Sequence, residues 1–480
     1  MLPNAGHLSP EVQTLKKHKT LELKNTFHSL KAHVSVHPRI WLFITILLIQ
    51  VLIFFVTRAL PISFSIPQLS SPSNAGECQS GRVYVYDLPA IFNRELADNC
   101  NDSDHFNWRC AAVSNNGFGP IETELVGIVP ENLGPAWYKT NQFSSEILFH
   151  NRMLNYQCRT LDPESAAAFY IPFYAGLAVG KYLWFKFSGK DRDRDCELLL
   201  RWVQDQPFWK RSNGSDHFIT LGRIIWDFRR LNNPELDWGS SFINMPAMRN
   251  VTRFTIERAP GDYYDVGVPY PTGFHPRSDS DVREWQSFVR NRDRTSLFCF
   301  VGVARGDIKN DFRELLLSHC RNESDSCRVV GCAETRCSIT TSASLETFLG
   351  SDFCLQPRGD SFTRRSTFDC MVAGSIPVFF WNRTAYDQYE WFLPGEPESY
   401  SVFIDHNDVR NGTSIRGVLE RFSREEVRRM REKVIESIPK FVYAKPSEGL
   451  ESIRDAFDVA IDGVLKRFKK QRERVHVEKV

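Results

Sequence analysis

Residues 353–380 read FCLQPRGDSFTRRSTFDCMVAGSIPVFF, and this stretch decides the fold prediction. The apolar run at 352–356 predicts a buried strand, and Gly359 turns the chain after it. Residues 363–373 predict a helix, and residues 376–380 predict a second strand. A strand, a helix and a strand in this order indicate a βαβ unit and therefore a parallel sheet.

The same stretch holds the residue types that bind a nucleotide diphosphate. Ser361 and Thr363 can cap the predicted helix, whose free amides and positive dipole end favour a phosphate. Arg364 and Arg365 add positive charge there, and Asp369 can accept hydrogen bonds from the two hydroxyls of a ribose. The predicted donor-binding set is completed by Arg305, Arg358, Gly359, Ser366 and Gly374.

Two other interpretations of this stretch stay open. The arginines can be solvated in a plain βαβ unit in which Gly374 only ends the helix. The Gly-Asp-Ser triplet at 359–361 is also typical of one class of esterase, which needs a downstream Asp-x-x-His. After Ser361 the only histidines are His406 and His476, and neither has an aspartate three positions before it. The hydrolase is therefore disfavoured.

Apolar and amphipathic runs alternate along the chain after residue 80, as in parallel α/β domains. We predict an α/β fold with one domain over 81–265 and a second over 266–480, closed by a C-terminal helix. Residues 259–276 contain four prolines and three glycines and predict the link. Further predicted strands are 83–86, 167–172, 217–221, 253–256, 296–303 and 401–404, and further predicted helices are 142–156, 196–203, 311–319 and one beginning near Ser423.

Residues 40–56 (IWLFITILLIQVLIFFV) carry no charge and predict a membrane helix of roughly 26 Å. A cleaved signal peptide is the alternative, but its apolar stretch is shorter and lies closer to the N-terminus. Six Lys and Arg residues precede the stretch, whereas Arg58 is the only charge between it and Glu77. The positive-inside rule then predicts a cytosolic tail at 1–39, a lumenal stem at 57–80 and a lumenal remainder.

Cysteines and glycosylation sequons agree with a lumenal location. All 12 cysteines follow residue 56, where disulfides are permitted. Cys100 and Cys110 can close a small loop, and disulfides are favoured over zinc for the cluster at 320, 327, 332 and 337. The Asn-x-Ser/Thr sequons lie at Asn101, Asn213, Asn250, Asn322, Asn382 and Asn411.

Composition excludes two broad classes. Apolar residues make up 42% and charged residues 25% of the chain, which excludes a wholly disordered protein. Sixty Lys and Arg against 58 Asp and Glu give a net charge of +2, so no nucleic-acid partner is expected.

Ordered blocks along residues 80–465 resemble a known enzyme family. They include YVYDLP at 84–89, WYKTNQF at 137–143, IPFYAG at 171–176, GRIIWDFRR at 222–230 and PYPTGFHP at 269–276. Together with the donor segment, they resemble plant xyloglucan galactosyltransferases of the exostosin family, glycosyltransferase family 47. The resemblance implies a GT-B fold of two facing Rossmann-like domains, Golgi residence, a UDP-sugar donor such as UDP-galactose, a xyloglucan acceptor and inversion at the anomeric carbon. Complexes with other glycosyltransferases are compatible with it.

The mechanism implied is an in-line displacement that needs positive groups at the leaving UDP and a base at the acceptor. Arg364 and Arg365 are predicted for the first task, so no metal or other cofactor is expected. The Asp-x-Asp patterns at 191–195 and 279–281 are interpreted as a solvated helix start and a loop. Asp216, His217, Asp227 and Glu257 are weighed as the base, and Asp227 or His217 is preferred. The predicted acceptor-stacking residues are Trp137, Tyr138, Tyr174 and Trp184.

Two functional alternatives remain. The transferred sugar can be galacturonic acid or arabinose, because one or two side chains decide between such donors. A Golgi scaffold or glycan-binding relative without turnover is the second alternative. The complete donor segment argues against it.

Overall fold

The structure of the protein is a computed structural model that describes residues 48–50, 78–100, 108–184, 187–231, 238–306, 308–332 and 339–477. Residues 76–480 form one compact unit. Its described strands make two sheets, and neighbouring strands pair in parallel throughout. Two parallel α/β layers of this kind agree with the predicted fold class.

The first sheet has the strand order β2-β1-β3-β4-β5-β6. Its strands are β1 (Arg82–Val85), β2 (Arg159–Thr160), β3 (Ala166–Ile171), β4 (His217–Leu221), β5 (Thr252–Thr255) and β6 (Asp265–Gly267). Four of them lie within one residue of their predicted positions. β6 lies in the stretch predicted as an irregular link, so that prediction was wrong for three residues, which are too few to show a periodic pattern.

The second sheet has the order β11-β10-β9-β7-β8. Its strands are β7 (Ser296–Gly302), β8 (Cys327–Gly331), β9 (Ser351–Gln356), β10 (Ile376–Phe379) and β11 (Val402–Phe403). The chain proceeds from β7 to β8 on one side and then returns to β9 on the other side of β7. The strand order therefore reverses between β7 and β9, which is where open parallel sheets bind their ligands.

Helices cover both sheets. In chain order the described α-helices are α1 (Arg94–Asp98), α2 (Trp108–Val113), α3 (Ser145–Leu154), α4 (Ala175–Gly180), α5 (Gly189–Gln204), α6 (Pro207–Ser212), α7 (Asp279–Asn291), α8 (Phe312–Asn322), α9 (Ser342–Leu349), α10 (Ser366–Val372), α11 (His406–Arg410), α12 (Ile415–Leu419), α13 (Arg424–Ser437) and α14 (Ala456–Val477).

The last helix, α14, packs on the first sheet. The Phe468 ring contacts Phe218 of β4, and the Phe457 ring contacts Phe149 of α3 at a centroid distance of 5.4 Å. Arg152 of α3 is buried and donates to Asp458 of α14 at 3.1 Å. The prediction assigns this helix to the second domain, whereas its packing joins the end of the chain to the first half. The boundary between residues 265 and 266 stays a prediction.

Disulfides tie loops and secondary structure within the described residues. They join Cys78 to Cys158, Cys100 to Cys110, Cys320 to Cys327 and Cys354 to Cys370. The predicted loop between Cys100 and Cys110 is therefore present, and Cys332 is disulfide-bonded as well.

Most of the predicted tail, membrane helix and stem at 1–80 lies outside the described residues. Leu48, Ile49 and Gln50 are helical. No helix that the structure describes is both long enough and apolar enough to span a bilayer.

Candidate functional site

A cavity lies at the carboxyl ends of strands from both sheets. Glu257 lines it after β5 and Tyr270 after β6, both strands of the first sheet. Arg313 lines it from the first turn of α8, and Ser361 and Arg364 line it from the loop after β9. Its position beside the reversal between β7 and β9 is the expected ligand position of a doubly wound sheet. We call this cavity the cleft.

The loop between β9 and α10 forms one wall of the cleft. A Cβ atom on Gly359 would collide with the carbonyl oxygen of Thr363, so the loop can fold back on itself only with glycine there. The helix that follows begins at Ser366, with Arg365 in the N-cap position. Neither Ser361 nor Thr363 caps it, contrary to prediction, because both lie upstream of the N-cap position. The amides of Phe362 and Thr363 donate to Glu257.

Arg364 presents an unsatisfied charge to the cleft. Its Nη2 donates to the carbonyl oxygen of Val301 at the end of β7 at 2.7 Å, whereas its buried Nη1 has no hydrogen-bond partner. No carboxylate among the described residues forms an ion pair with it. Burial, with Arg313 and Arg305 nearby, lowers the pKa of Arg364 to about 9. A buried cation without a counter-ion is costly, and an anionic ligand would relieve that cost.

Two further arginines support the same loop. Arg305 donates to the carbonyl oxygen of Gly359 and pairs with Asp360 at 2.8 Å. Arg313 donates to the carbonyl oxygen of Arg358 at 3.2 Å, and burial followed by Arg305 lowers the pKa of Arg313 to about 10. Arg364, Arg305 and Arg313 therefore concentrate positive charge around one backbone loop, a group we call the arginine cluster. Arg358 itself is exposed.

Arg365 and Asp369 pair with each other. Arg365 Nε donates to Asp369 Oδ2 at 3.0 Å, and its two terminal nitrogens donate to the Thr140 carbonyl and the Thr340 hydroxyl at 2.6 and 2.7 Å. Asp369 Oδ1 accepts from Thr340 at 2.9 Å. Both side chains are buried. These contacts give both residues a structural role, and Arg365 also lines the cleft. The predicted diphosphate and ribose contacts stay predictions.

The remaining predicted donor residues divide between the cleft and the scaffold. Ser361, Thr363 and Ser366 line the cleft, and the Ser366 hydroxyl donates to the Gln356 side chain at 2.8 Å. Gly374 follows α10 with φ of +70°, a left-handed conformation that glycine adopts without strain. Gly374 therefore ends the helix, as expected for a plain βαβ unit, and it does not line the cleft.

Neither preferred base candidate has a free atom in the cleft. Asp227 accepts from Arg223 Nε at 2.6 Å through Oδ2 and from Trp238 Nε1 at 2.7 Å through Oδ1. Both oxygens of this buried side chain are thus occupied.

His217 is a core residue. It begins β4, whereas the cleft lies at the carboxyl ends of the strands. Its ring stacks on Phe169 and Tyr86 and bonds the Tyr86 hydroxyl at 2.8 Å. Burial lowers the pKa of His217, although Asp216, 2.7 Å from its Nδ1, opposes that effect. The ring is buried in the core and away from the cleft.

Most of the aromatic residues predicted for acceptor stacking are core residues. Trp137, Tyr138 and Tyr174 are all buried, and the Trp137 ring packs between Phe274 and Trp285. Trp184 differs, since 38% of it is exposed where it packs edge-on against Trp238. Of the four, Trp184 alone can offer a ring face to a sugar.

The sequence pattern favours a core or salt-bridge role for Glu257, whereas the structure shows it lining the cleft. It follows β5 and is fully buried. Its Oε2 accepts from the amides of Phe362 and Thr363 at 3.1 and 3.2 Å, and its Oε1 has no hydrogen-bond partner. No ion pair within the described residues involves it. The sequence signal for Glu257 as a cleft residue is its position directly after the predicted strand at 253–256.

The acidic pairs considered for metal binding are structural. Asp191 forms a capping box with Ser188 at the start of α5, and Asp193 is buried against Arg230. Asp279 and Asp281 stand in the first turn of α7, where a loop was predicted. No group of three or more His, Cys, Asp or Glu residues suited to a metal ion occurs in the part of the chain that the structure describes.

The described sequon asparagines lie mainly at the surface. Asn213, Asn322, Asn382 and Asn411 are exposed, whereas Asn250 is half-buried and donates to the Asn213 carbonyl at 3.2 Å. Asn101 lies outside the described residues.

Comparisons with known proteins agree with the resemblance noted in the sequence. Residues 77–419 match the exostosin GT47 domain family. The chain is 54% identical to the xyloglucan galactosyltransferase XLT2 of Arabidopsis thaliana, over 98% of this chain and 99% of that protein. It is 41% identical to the xyloglucan galactosyltransferase MUR3 of the same plant, over 82% of this chain and 64% of that protein.

Another relative and a solved structure match this chain at lower sequence identity. A xyloglucan-specific galacturonosyltransferase of Arabidopsis thaliana is 37% identical over 82% of this chain and 58% of that protein. A crystal structure of a GtfA/B complex matches with a TM-score of 0.29 and 8% identity, over 57% of this chain and 61% of that chain. A TM-score of this size does not establish a shared fold. The family match over 77–419 and the near full-length similarity show that this protein belongs to the exostosin GT47 family.

Proposed function

We propose that this protein transfers galactose from UDP-galactose to xyloglucan side chains, with inversion at the anomeric carbon. The proposal rests on Arg364, which lines the cleft and whose buried Nη1 has no hydrogen-bond partner. A diphosphate supplies the missing acceptor and the missing counter-charge. The arginine cluster around the same loop extends that charge to both phosphates.

The arginine cluster also fits the chemistry of the leaving group. As the bond between the sugar C1 and the phosphate oxygen breaks, negative charge accumulates on UDP. A fixed guanidinium in a water-poor site stabilises that charge more than it stabilises the bound substrate, which accelerates the reaction. Two or more arginines can supply this stabilisation, so the reaction is proposed to need no divalent metal.

The sugar and the acceptor are proposed from similarity. The near full-length relative at 54% identity is named a xyloglucan galactosyltransferase, whereas the relative named for galacturonic acid is at 37%. The sugar of a galacturonic acid donor carries a carboxylate. A site selective for that donor would need a further cation to pair with this carboxylate. The similarity therefore favours galactose over the galacturonate alternative.

The proposed location is the Golgi membrane, with a single N-terminal anchor at 40–56 and the described unit in the lumen. The disulfides and the exposed sequon asparagines support an oxidising compartment that carries out glycosylation.

A donor and acceptor screen tests the proposal. The full-length protein is incubated with UDP-galactose, UDP-galacturonic acid, UDP-arabinose or UDP-glucose and with xyloglucan oligosaccharides, and products are identified by mass and linkage. We expect a hexose transferred from UDP-galactose in β-linkage. Transfer from another donor at a higher kcat/KM, or no sugar transfer at all, would refute it.

A further inference from the structure

Among the residues that the structure describes, Glu257 is the one carboxylate lining the cleft that is both buried and left with an unpaired oxygen. Asp360 also lines the cleft, but 85% of its side chain is exposed and it pairs with Arg305. The buried Asp227 and Asp369 have both oxygens engaged. Glu257 has Oε2 bonded to two amides and Oε1 without a partner.

Those two amides fix the direction of the carboxylate. Phe362 and Thr363 belong to the loop that carries Arg364, and Glu257 belongs to the segment after β5 of the first sheet. The carboxylate is therefore held against the loop of the arginine cluster while it belongs to the other half of the molecule. A base for acceptor activation must reach the acceptor hydroxyl near C1 of the sugar, and a carboxylate that lines the cleft with one oxygen unpaired meets this requirement.

We infer that Glu257 is the general base that removes the proton from the acceptor hydroxyl. The inference rests on the proposed function, since it assumes sugar transfer at this cleft. In the step, the acceptor oxygen forms a bond to C1 of the UDP-sugar as its proton passes to Glu257 Oε1. The bond from C1 to the β-phosphate oxygen breaks, and its electron pair leaves with UDP beside Arg364. The proton on Glu257 then returns to water when the products leave.

The charge state of Glu257 suits this role. Burial raises its pKa to about 7, although the Ser361 hydroxyl and the two amides oppose that effect. Asp227 raises it further, and Tyr270 and Tyr389 are the other titratable groups that interact with it. The charged side chains that face it across the cleft are Asp360, Arg313, Arg364 and Arg365. A base with a pKa near neutrality is ionised at working pH and still binds a proton strongly enough to remove it.

The decisive experiment compares Glu257→Gln with wild-type protein, both as full-length chains. The amide oxygen of glutamine can accept from Phe362 and Thr363, so the loop keeps its support, but the residue can no longer take a proton. We expect kcat to fall by about 10²-fold or more, with the affinity for UDP, measured by calorimetry, changed less than about threefold. The wild-type kcat should rise with pH up to about 7, and the variant should lose this dependence.

Glu146→Gln is the matched control. Glu146 is also fully buried, accepts three backbone amides from Gly176, Leu177 and Gly222, and has a pKa raised to about 7 by burial, but it does not line the cleft. Its variant should keep the wild-type pH profile when activity is normalised to folded protein. Glu257→Asp, which keeps a shorter carboxylate, should recover part of the activity lost in Glu257→Gln.

Three outcomes would overturn the assignment of Glu257. The Glu257→Gln variant could retain more than a third of wild-type kcat, it could keep the wild-type pH profile, or it could lose activity only in proportion to UDP binding. Donor identity does not enter this comparison, because the ratio of variant to wild type is measured on whichever UDP-sugar the wild type uses. Wild-type transfer from a sugar other than galactose would refute the proposed function while leaving the ratio interpretable, and absence of any transfer would refute both.

Discussion

Arg365 and Asp369 form a buried ion pair across one turn of helix α10, with Arg365 Nε 3.0 Å from Asp369 Oδ2. The guanidinium also donates to the carbonyl oxygen of Thr140 in the first half of the chain at 2.6 Å. The pair therefore holds the start of α10 against a distant segment. Arg364, the adjacent residue, also lines the cleft, and its Nη1 has no hydrogen-bond partner. The two neighbouring arginines thus differ, because Arg365 donates to three protein groups whereas Arg364 keeps one nitrogen without a hydrogen-bond partner.

Arg365→Met should destabilise the protein. Removing one partner of a buried pair takes the Arg365 donors away from Asp369 Oδ2 and the Thr140 carbonyl, which costs about 3 kcal/mol or more in the free energy of unfolding. Chemical denaturation of the full-length protein, followed by tryptophan fluorescence, measures this change. An unchanged unfolding midpoint together with weaker UDP binding would mean that Arg365 contacts the ligand after all.

The stability of the protein should depend on pH through its buried acids. Burial raises the pKa of Glu146 and Glu257 to about 7. The folded state then binds protons more tightly than the unfolded state, so each carboxyl stabilises the fold below its ordinary pKa. That stabilisation is lost as pH rises from about 4.5 to about 7, at up to 1.4 kcal/mol per pH unit for each group.

Buried histidines oppose this trend. Burial lowers the pKa of His275 to about 3 and of His150 to about 4, so their contribution to stability is lost as pH falls below about 6.5. The clean measurement is therefore the difference between wild type and Glu146→Gln. Between pH 5 and pH 7 we expect that difference in unfolding free energy to change with pH at up to about 1.4 kcal/mol per pH unit, the slope that one titrating proton gives. A difference that is independent of pH would contradict the raised pKa of Glu146.

Transfer should not need a divalent metal. The arginine cluster already opposes the diphosphate charge, and Arg364 lacks any other anionic partner among the described residues. Activity of the wild type is measured in the presence of a chelator and again after manganese is added. Equal rates are expected, and activity that vanishes with the chelator and returns with manganese would contradict the prediction.

The described unit should carry N-glycans at its exposed sequons. Asn213, Asn322, Asn382 and Asn411 are exposed, so Asn→Gln at each should increase electrophoretic mobility by one step. Endoglycosidase treatment should collapse wild type and variants to one mobility. If the enzyme leaves the mobility of the wild type unchanged, the proposed lumenal orientation loses its support.

Local sequence predicted the sheets better than the site. β4 lies at its predicted residues, and β1, β3, β5 and β9 lie within one residue of theirs, because buried parallel strands are continuous apolar runs. β6 has three residues and was missed, since so short a strand is defined only by its neighbour β5.

The site depended on contacts that a local pattern does not contain. Helix α10 begins at Ser366 and not at the predicted residue 363. The amides of residues 362 and 363 donate to Glu257, which lies over 100 positions earlier in the chain. The two arginines were equivalent in sequence, and only Thr140 and Thr340, which lie far from them along the chain, distinguish the structural one. Residue type alone makes His217 a candidate base and Trp137 a candidate for stacking on a sugar. Both side chains are buried in the core, which residue type does not reveal.

The most direct test of the account is UDP binding and turnover in Arg364→Met, with Arg321→Met as control. Arg321 is an exposed arginine on α8 that pairs with Glu314 at 3.1 Å, so its loss removes the same charge away from the cleft. For Arg364→Met we predict folding like the wild type, UDP affinity lowered by about tenfold or more and kcat lowered by about 10²-fold, while Arg321→Met matches the wild type. A folded Arg364→Met protein that binds UDP and transfers sugar as well as the control would show that the diphosphate binds elsewhere.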